Sequence, residues 1–101
     1  MKKYKVQTFY YNGNTVKYRI TEKAINTYQT VTGKRVANIA AHEDIYCLLY
    51  LCAKNELTGI TCTQFVKDGC IGMVMFRARK GEYKPYEIAR LFKSFAKNHK
   101  L

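Results

Sequence analysis

The run 45–53 constrains this chain most. Ile45, Tyr46, Leu48, Leu49, Tyr50, Leu51 and Cys52 leave a helix there with almost no polar side. Glu43 and Asp44 suit its N-terminus and Lys54 its C-terminus, because those charges complement the helix dipole. The spacing predicts a helix over about 43–54. A helix apolar on nearly every side is central in its fold or lies in an interface. As the longest apolar stretch of the chain, it still falls short of the roughly 20 residues a bilayer span needs. A chain of 101 residues is about one domain. The expectation is therefore one domain over 1–101 with this helix near its centre and no membrane partner.

Around that helix the sequence predicts an α+β fold. Residues 3–20 read as a β-hairpin: Tyr4, Val6, Thr8 and Tyr10 alternate with Lys3, Lys5 and Gln7, and Val16, Tyr18 and Ile20 alternate with Lys17 and Arg19. Two registers are open. A two-residue loop at Asn12-Gly13 pairs Tyr10 with Thr15, and a three-residue loop over 12–14 pairs Tyr10 with Val16 and Val6 with Ile20. The second gathers those apolar sets on one face and is preferred. It leaves Phe9 and Tyr11 on the polar side, beside Lys3, Lys5, Lys17 and Arg19.

Thr21 is the expected N-cap of a helix running from Glu22 to about Thr32, with Gly33 as its stop. Its apolar stripe is Ala24, Ile25, Tyr28 and Val31. Residues 34–41 read either as a connection or as a bent continuation. Thr61-Cys62-Thr63-Gln64 is a capping box, with Ile60 and Phe65 at the staple positions, and the helix it opens is expected to end near Asp68-Gly69. Over 70–79, Ile71, Met73 and Met75 alternate, which favours a strand. Val74 and Phe76 are also apolar, and a helix over 73–80 is the rival. Lys80-Gly81-Glu82 reads as a turn. Pro85 suits the first turn of a last helix over 86–98, striped by Ile88, Leu91, Phe92 and Phe95. The sum is an N-terminal β-hairpin followed by three or four α-helices, with 70–79 open between strand and helix.

Charge narrows the function. Eighteen Lys and Arg against seven Asp and Glu give +11, which favours a polyanion or an acidic protein face as partner. More than half of that excess lies in residues 77–100, which hold eight basic and two acidic residues. Arg90, Lys93 and Lys97 share one face of the last helix, and Arg77, Arg79 and Lys80 precede it. These six are the candidate nucleic-acid-binding residues. The mixed basic and aromatic side of the hairpin is a second candidate surface. A helix-turn-helix over 61–80 is a weaker alternative, because Met73, Val74, Met75 and Phe76 in a row give its second helix no polar outer face.

Catalysis has little material. No P-loop, G-x-S-x-G or H-E-x-x-H motif occurs. His42-Glu43-Asp44 reads as a helix start, since sequence neighbours do not face each other on a helix. Cys47, Cys52, Cys62 and Cys70 have four, nine and seven residues between neighbours. That spacing offers no C-x-x-C pair, and no metal site or cofactor is expected. The basic start 1–5 is followed by the polar Gln7, Thr8 and Asn12 and does not read as a signal peptide. Reduced thiols in the cytoplasm are the expectation.

The order of elements resembles the tail assembly chaperones of long-tailed bacteriophages. The matching pieces are 28–34 (Tyr-Gln-Thr-Val-Thr-Gly-Lys), 44–53 (Asp-Ile-Tyr-Cys-Leu-Leu-Tyr-Leu-Cys-Ala) and 61–66 (Thr-Cys-Thr-Gln-Phe-Val). Together they place the resemblance over about residues 20–68. The high positive charge and the apolar stretch 71–76 depart from that pattern. The resemblance implies a non-enzymatic, oligomeric assembly protein, in the bacterial host cytoplasm if phage-derived. Its protein partner would be the tape-measure or tail-tube protein. An adaptable apolar groove of Met and aromatic side chains suits a long helical partner, with Tyr46, Tyr50, Met73 and Met75 as its candidate residues. The leading expectation is this protein-interaction role, and the alternative is a small basic nucleic-acid-binding protein.

Overall fold

The computed structural model describes residues 5–78, 81–83 and 85–101, without the side chains at 76–78, 81–83 and 85. The fold is α+β, with an N-terminal hairpin and four helices. Strands β1 (Gln7–Tyr11), β2 (Asn14–Tyr18), β3 (Val74–Ala78) and β4 (Gly81–Tyr83) form one antiparallel sheet in the order β2-β1-β3-β4. Helices α1 (Glu22–Thr32), α2 (His42–Ala53), α3 (Cys62–Cys70) and α4 (Pro85–Asn98) complete it, with a short 3-10 turn at Val36–Asn38.

The hairpin takes the two-residue loop, not the preferred three-residue one. Asn12 and Gly13 both have positive φ, 51° and 81°, as a type I′ turn requires. That turn matches the right-handed twist of the flanking strands. Tyr10 therefore faces Thr15, and Phe9 faces Val16. The consequence reverses the expected faces. Phe9, Tyr11, Val16 and Tyr18 are buried, while Val6 is exposed. Pairing Tyr10 with Val16 and Val6 with Ile20 points to the other side, and the turn chemistry of Asn12-Gly13 overrides it. Lys3 and Tyr4 lie outside the described residues.

Local signals hold for the helices. Thr21 Oγ1 accepts from the Ala24 amide at 3.1 Å, and the Gly33 amide, at φ 70°, donates to the Gln29 carbonyl. Ala24, Ile25 and Tyr28 are buried, but Val31 is 76% exposed. The stripe thus continues one turn past what covers it. Helix α2 packs against α1, α3, α4 and β2, which explains why it is apolar all round. Among the described residues, no helix is long and apolar enough to cross a membrane.

In α3, Thr61 Oγ1 accepts from the Gln64 amide at 3.1 Å. The Gln64 side chain does not reach back as a full capping box would. Its Nε2 donates instead to Asp68 Oδ1, one turn on, at 2.8 Å. The helix ends at Cys70, next to the expected Asp68-Gly69. Gly69 is buried within it, and a Cβ there would lie 2.6 Å from the Tyr46 ring. The Phe65 ring packs between sheet and helices, with centroids 5.8 Å from Phe9, 5.1 Å from Tyr11 and 5.9 Å from Tyr50.

Gly72, at φ 90°, ends this segment, and 74–78 is a strand. The helix over 73–80, and with it the helix-turn-helix, is excluded. β3 pairs with β1, setting Tyr11 opposite Val74 and Tyr10 opposite Met75. Two residues of the expected turn at 80–82 are in a strand instead. Gly81 and Glu82 belong to β4, opposite Ala78 and Arg77, and Lys80 lies outside the described residues. Pro85 opens α4 as expected. Ile88, Ala89, Phe92 and Ala96 are its buried side, whereas Leu91 is 39% exposed.

Candidate nucleic-acid interface

The four residues expected to form an apolar protein-binding patch divide between inside and outside. Tyr46 is buried, its ring against Gly69. Tyr50 is half-buried, and its hydroxyl donates to the Ile60 carbonyl at 2.6 Å. Both serve the junction of α2 and α3. Met73 and Met75 are 38% and 49% exposed, and only these two remain available to a partner.

The hairpin surface is likewise re-made. Phe9 and Tyr11 are core residues, not members of a basic face. The Tyr11 hydroxyl donates to the Asp68 carboxylate. Burial, reinforced by that carboxylate, pushes the Tyr11 phenol up to about 12. Asp68 is thereby held by two donors, Tyr11 and Gln64, which accounts for a buried carboxylate in this core.

Arg90, Lys93 and Lys97 are exposed along α4 as expected. Arg77 occupies a position in β3 opposite Glu82. Its side chain, and Arg79 and Lys80 altogether, lie outside the described residues. Lys5, Lys17 and Arg19 are exposed.

A groove of about 430 Å³ opens where the end of β2, the first turn of α1 and the end of α2 meet. The Arg19 amide donates to the Cys52 carbonyl at 3.3 Å and ties two of these elements together. The groove wall carries four cations, Lys17, Arg19, Lys23 and Lys54, and one carboxylate, Glu56. Each cation has a simple local origin. Lys17 alternates with the buried Val16 and Tyr18 along β2 and so points away from the core, and Arg19, the residue after the strand, is exposed. Lys23 precedes the buried pair Ala24 and Ile25 on α1, and Lys54 follows the last residue of α2. The first turn of α1 adds the positive end of a helix dipole. Thr21, Thr27 and Asn55 line the same space with hydrogen-bonding groups.

Among the described residues, no carboxylate forms an ion pair with the groove cations. Between described residues one ion pair forms, Lys34 to Asp44 at 3.0 Å, and neither residue lines the groove. Such an arrangement suits an anion with several negative charges and some length. Sequence reading found Lys17 and Arg19 but missed Lys23 and Lys54. They come from elements that are separate in sequence, and no local pattern joins them.

Burial disfavours the thiolate at Cys47 and Cys52. Cys52 lines the groove, and burial pushes it up to about 12. Cys47 sits 3.8 Å from the Cys62 sulfur, and burial first, then that neighbour, pushes it up to about 11. Among the described residues, no cluster of three or more His, Cys, Asp or Glu side chains is arranged to hold a metal ion. Comparison with protein-family models, with curated proteins and with solved structures finds no match.

Proposed function

We propose that this chain is a non-enzymatic nucleic-acid-binding protein whose basic groove holds the phosphate backbone. The observation that carries the reading is the groove itself, with four cations against one carboxylate. Neutralising phosphates with Lys and Arg releases condensed counterions, and this supplies most sequence-independent affinity. The exposed stripe Arg90, Lys93 and Lys97 adds to the general attraction. Helix α2, which holds the apolar run 45–53, packs against the chain's own elements, whereas the groove's four cations stay exposed to a partner.

A second reading keeps the protein-interaction role of the tail assembly chaperone type. It draws on Ile71, Met73 and Met75, exposed in sequence ahead of and within β3. Flexible Met side chains suit an adaptable apolar contact, such as one with a long helical tape-measure chain. This reading ranks second because Tyr46 and Tyr50, the aromatic half of the expected patch, are engaged inside the molecule.

The test is charge reversal in the groove. Lys23→Glu with Lys54→Glu is expected to weaken binding to a labelled oligonucleotide at least about tenfold at low salt, read by fluorescence anisotropy. Unchanged affinity in the folded double variant would overturn the reading.

A further inference from the structure

We infer that the open face of the sheet is a platform for single-stranded nucleic acid, with Tyr10 stacking a base whose neighbouring phosphates lie in the groove. The inference rests on the nucleic-acid reading above and gives it a substrate class.

Strand alternation assigns the two faces. Phe9, Tyr11, Val16, Tyr18 and Val74 turn into the core. Thr8, Tyr10, Thr15, Lys17 and Met75 therefore take the other face. Thr15, Lys17 and Met75 are exposed there, and Thr8 and Tyr10 are half-buried. The register sets Thr15, Tyr10 and Met75 side by side across β2, β1 and β3. The next row places Lys17 beside Thr8.

Lys17 joins the two surfaces, because it stands on this face and also lines the groove. Its position lies two residues from Thr15 on β2, about 7 Å along the strand. A base laid on Tyr10 thus has its backbone next to the cationic wall. Met75 beside it is polarisable and fits an aromatic ring edge. The five residues named include no carboxylate.

This chemistry selects single strands. A base offers its π-face to a side chain only when it is unstacked, and a duplex hides those faces. A second copy of the chain is the alternative occupant, and only a two-fold contact whose axis runs across the strands would set the Lys17 edge of one copy against the same edge of the other.

The test compares a labelled single strand with a duplex of equal length by anisotropy, for wild type, Tyr10→Ala, Tyr10→Phe and the groove variant Lys23→Glu/Lys54→Glu. Wild type is expected to prefer the single strand. Tyr10→Ala is expected to lose about five- to a hundredfold in single-strand affinity and to leave duplex affinity unchanged, with Tyr10→Phe close to wild type. Photo-crosslinking of a bromouracil-bearing strand to the wild-type protein is expected to map to Tyr10 or Met75, whatever the folding of the variants. The inference falls if crosslinks map to α4 instead. It falls equally if folded Tyr10→Ala binds like wild type while the groove variant does not, in which case the groove reading stands alone. If wild type binds neither strand form, the reading itself falls. If sedimentation shows a dimer that Tyr10→Ala dissociates with nucleic-acid affinity intact, the face is an interface between copies and the inference is overturned.

Discussion

Phe9 and Tyr10 are neighbours in one strand and live in different surroundings. Phe9 is fully buried under the helices, in contact range of the Tyr18 and Phe65 rings. Tyr10 is half-buried on the opposite face, between Thr15 and Met75. The same contrast runs through the sheet. Its inner face carries aromatic and β-branched side chains, and its outer face mixes threonine, lysine, tyrosine and methionine. An aromatic residue in such a strand is therefore not evidence of either core or binding by type. The register alone decides, and one residue of slip exchanges the two roles.

That contrast can be broken from the inside, through the turn, or from the outside. Phe9→Ala is expected to cost about 3–5 kcal/mol of stability, as large-to-small changes at buried aromatics do, measured by denaturant unfolding. A loss well below this would mean that the inner face is not the core described. Gly13→Ala places a Cβ on a residue with φ 81° and is expected to cost about 1–2 kcal/mol. A neutral result would argue for a different hairpin loop. Met75→Ala, on the outer face, is expected to change stability by no more than about 0.5 kcal/mol. A larger loss would show that this face is covered after all, by another copy of the chain.

Much of the fold was legible because its signals are local. Thr21 and Thr61 cap helices through contacts three residues away, Gly33 and Pro85 mark helix boundaries, and the composition of 45–53 is enough to make α2 central. The hairpin register is legible in Asn12-Gly13, a strong two-residue turn signal, while pairing the apolar sets Tyr10–Val16 and Val6–Ile20 points to the other register. The strand at 74–78 stayed open because its partner, β1, lies more than sixty residues earlier in the chain, and a short apolar run carries no record of a distant neighbour. The groove was only half legible for the same reason. Lys17 and Arg19 announce a polar strand face. Lys23 and Lys54 look like ordinary solvated lysines until α1 and α2 bring them beside that strand.

The reading of the groove as a phosphate site is tested most directly by the salt dependence of single-strand binding, for wild type and for Lys23→Glu/Lys54→Glu. If all four groove cations contact phosphates, the slope of log affinity against log salt is about −3 for wild type and roughly half that for the variant, at about 0.7 per contact. That pair of slopes is the predicted result. Binding that is insensitive to salt, or equal slopes for the two proteins, would contradict the account.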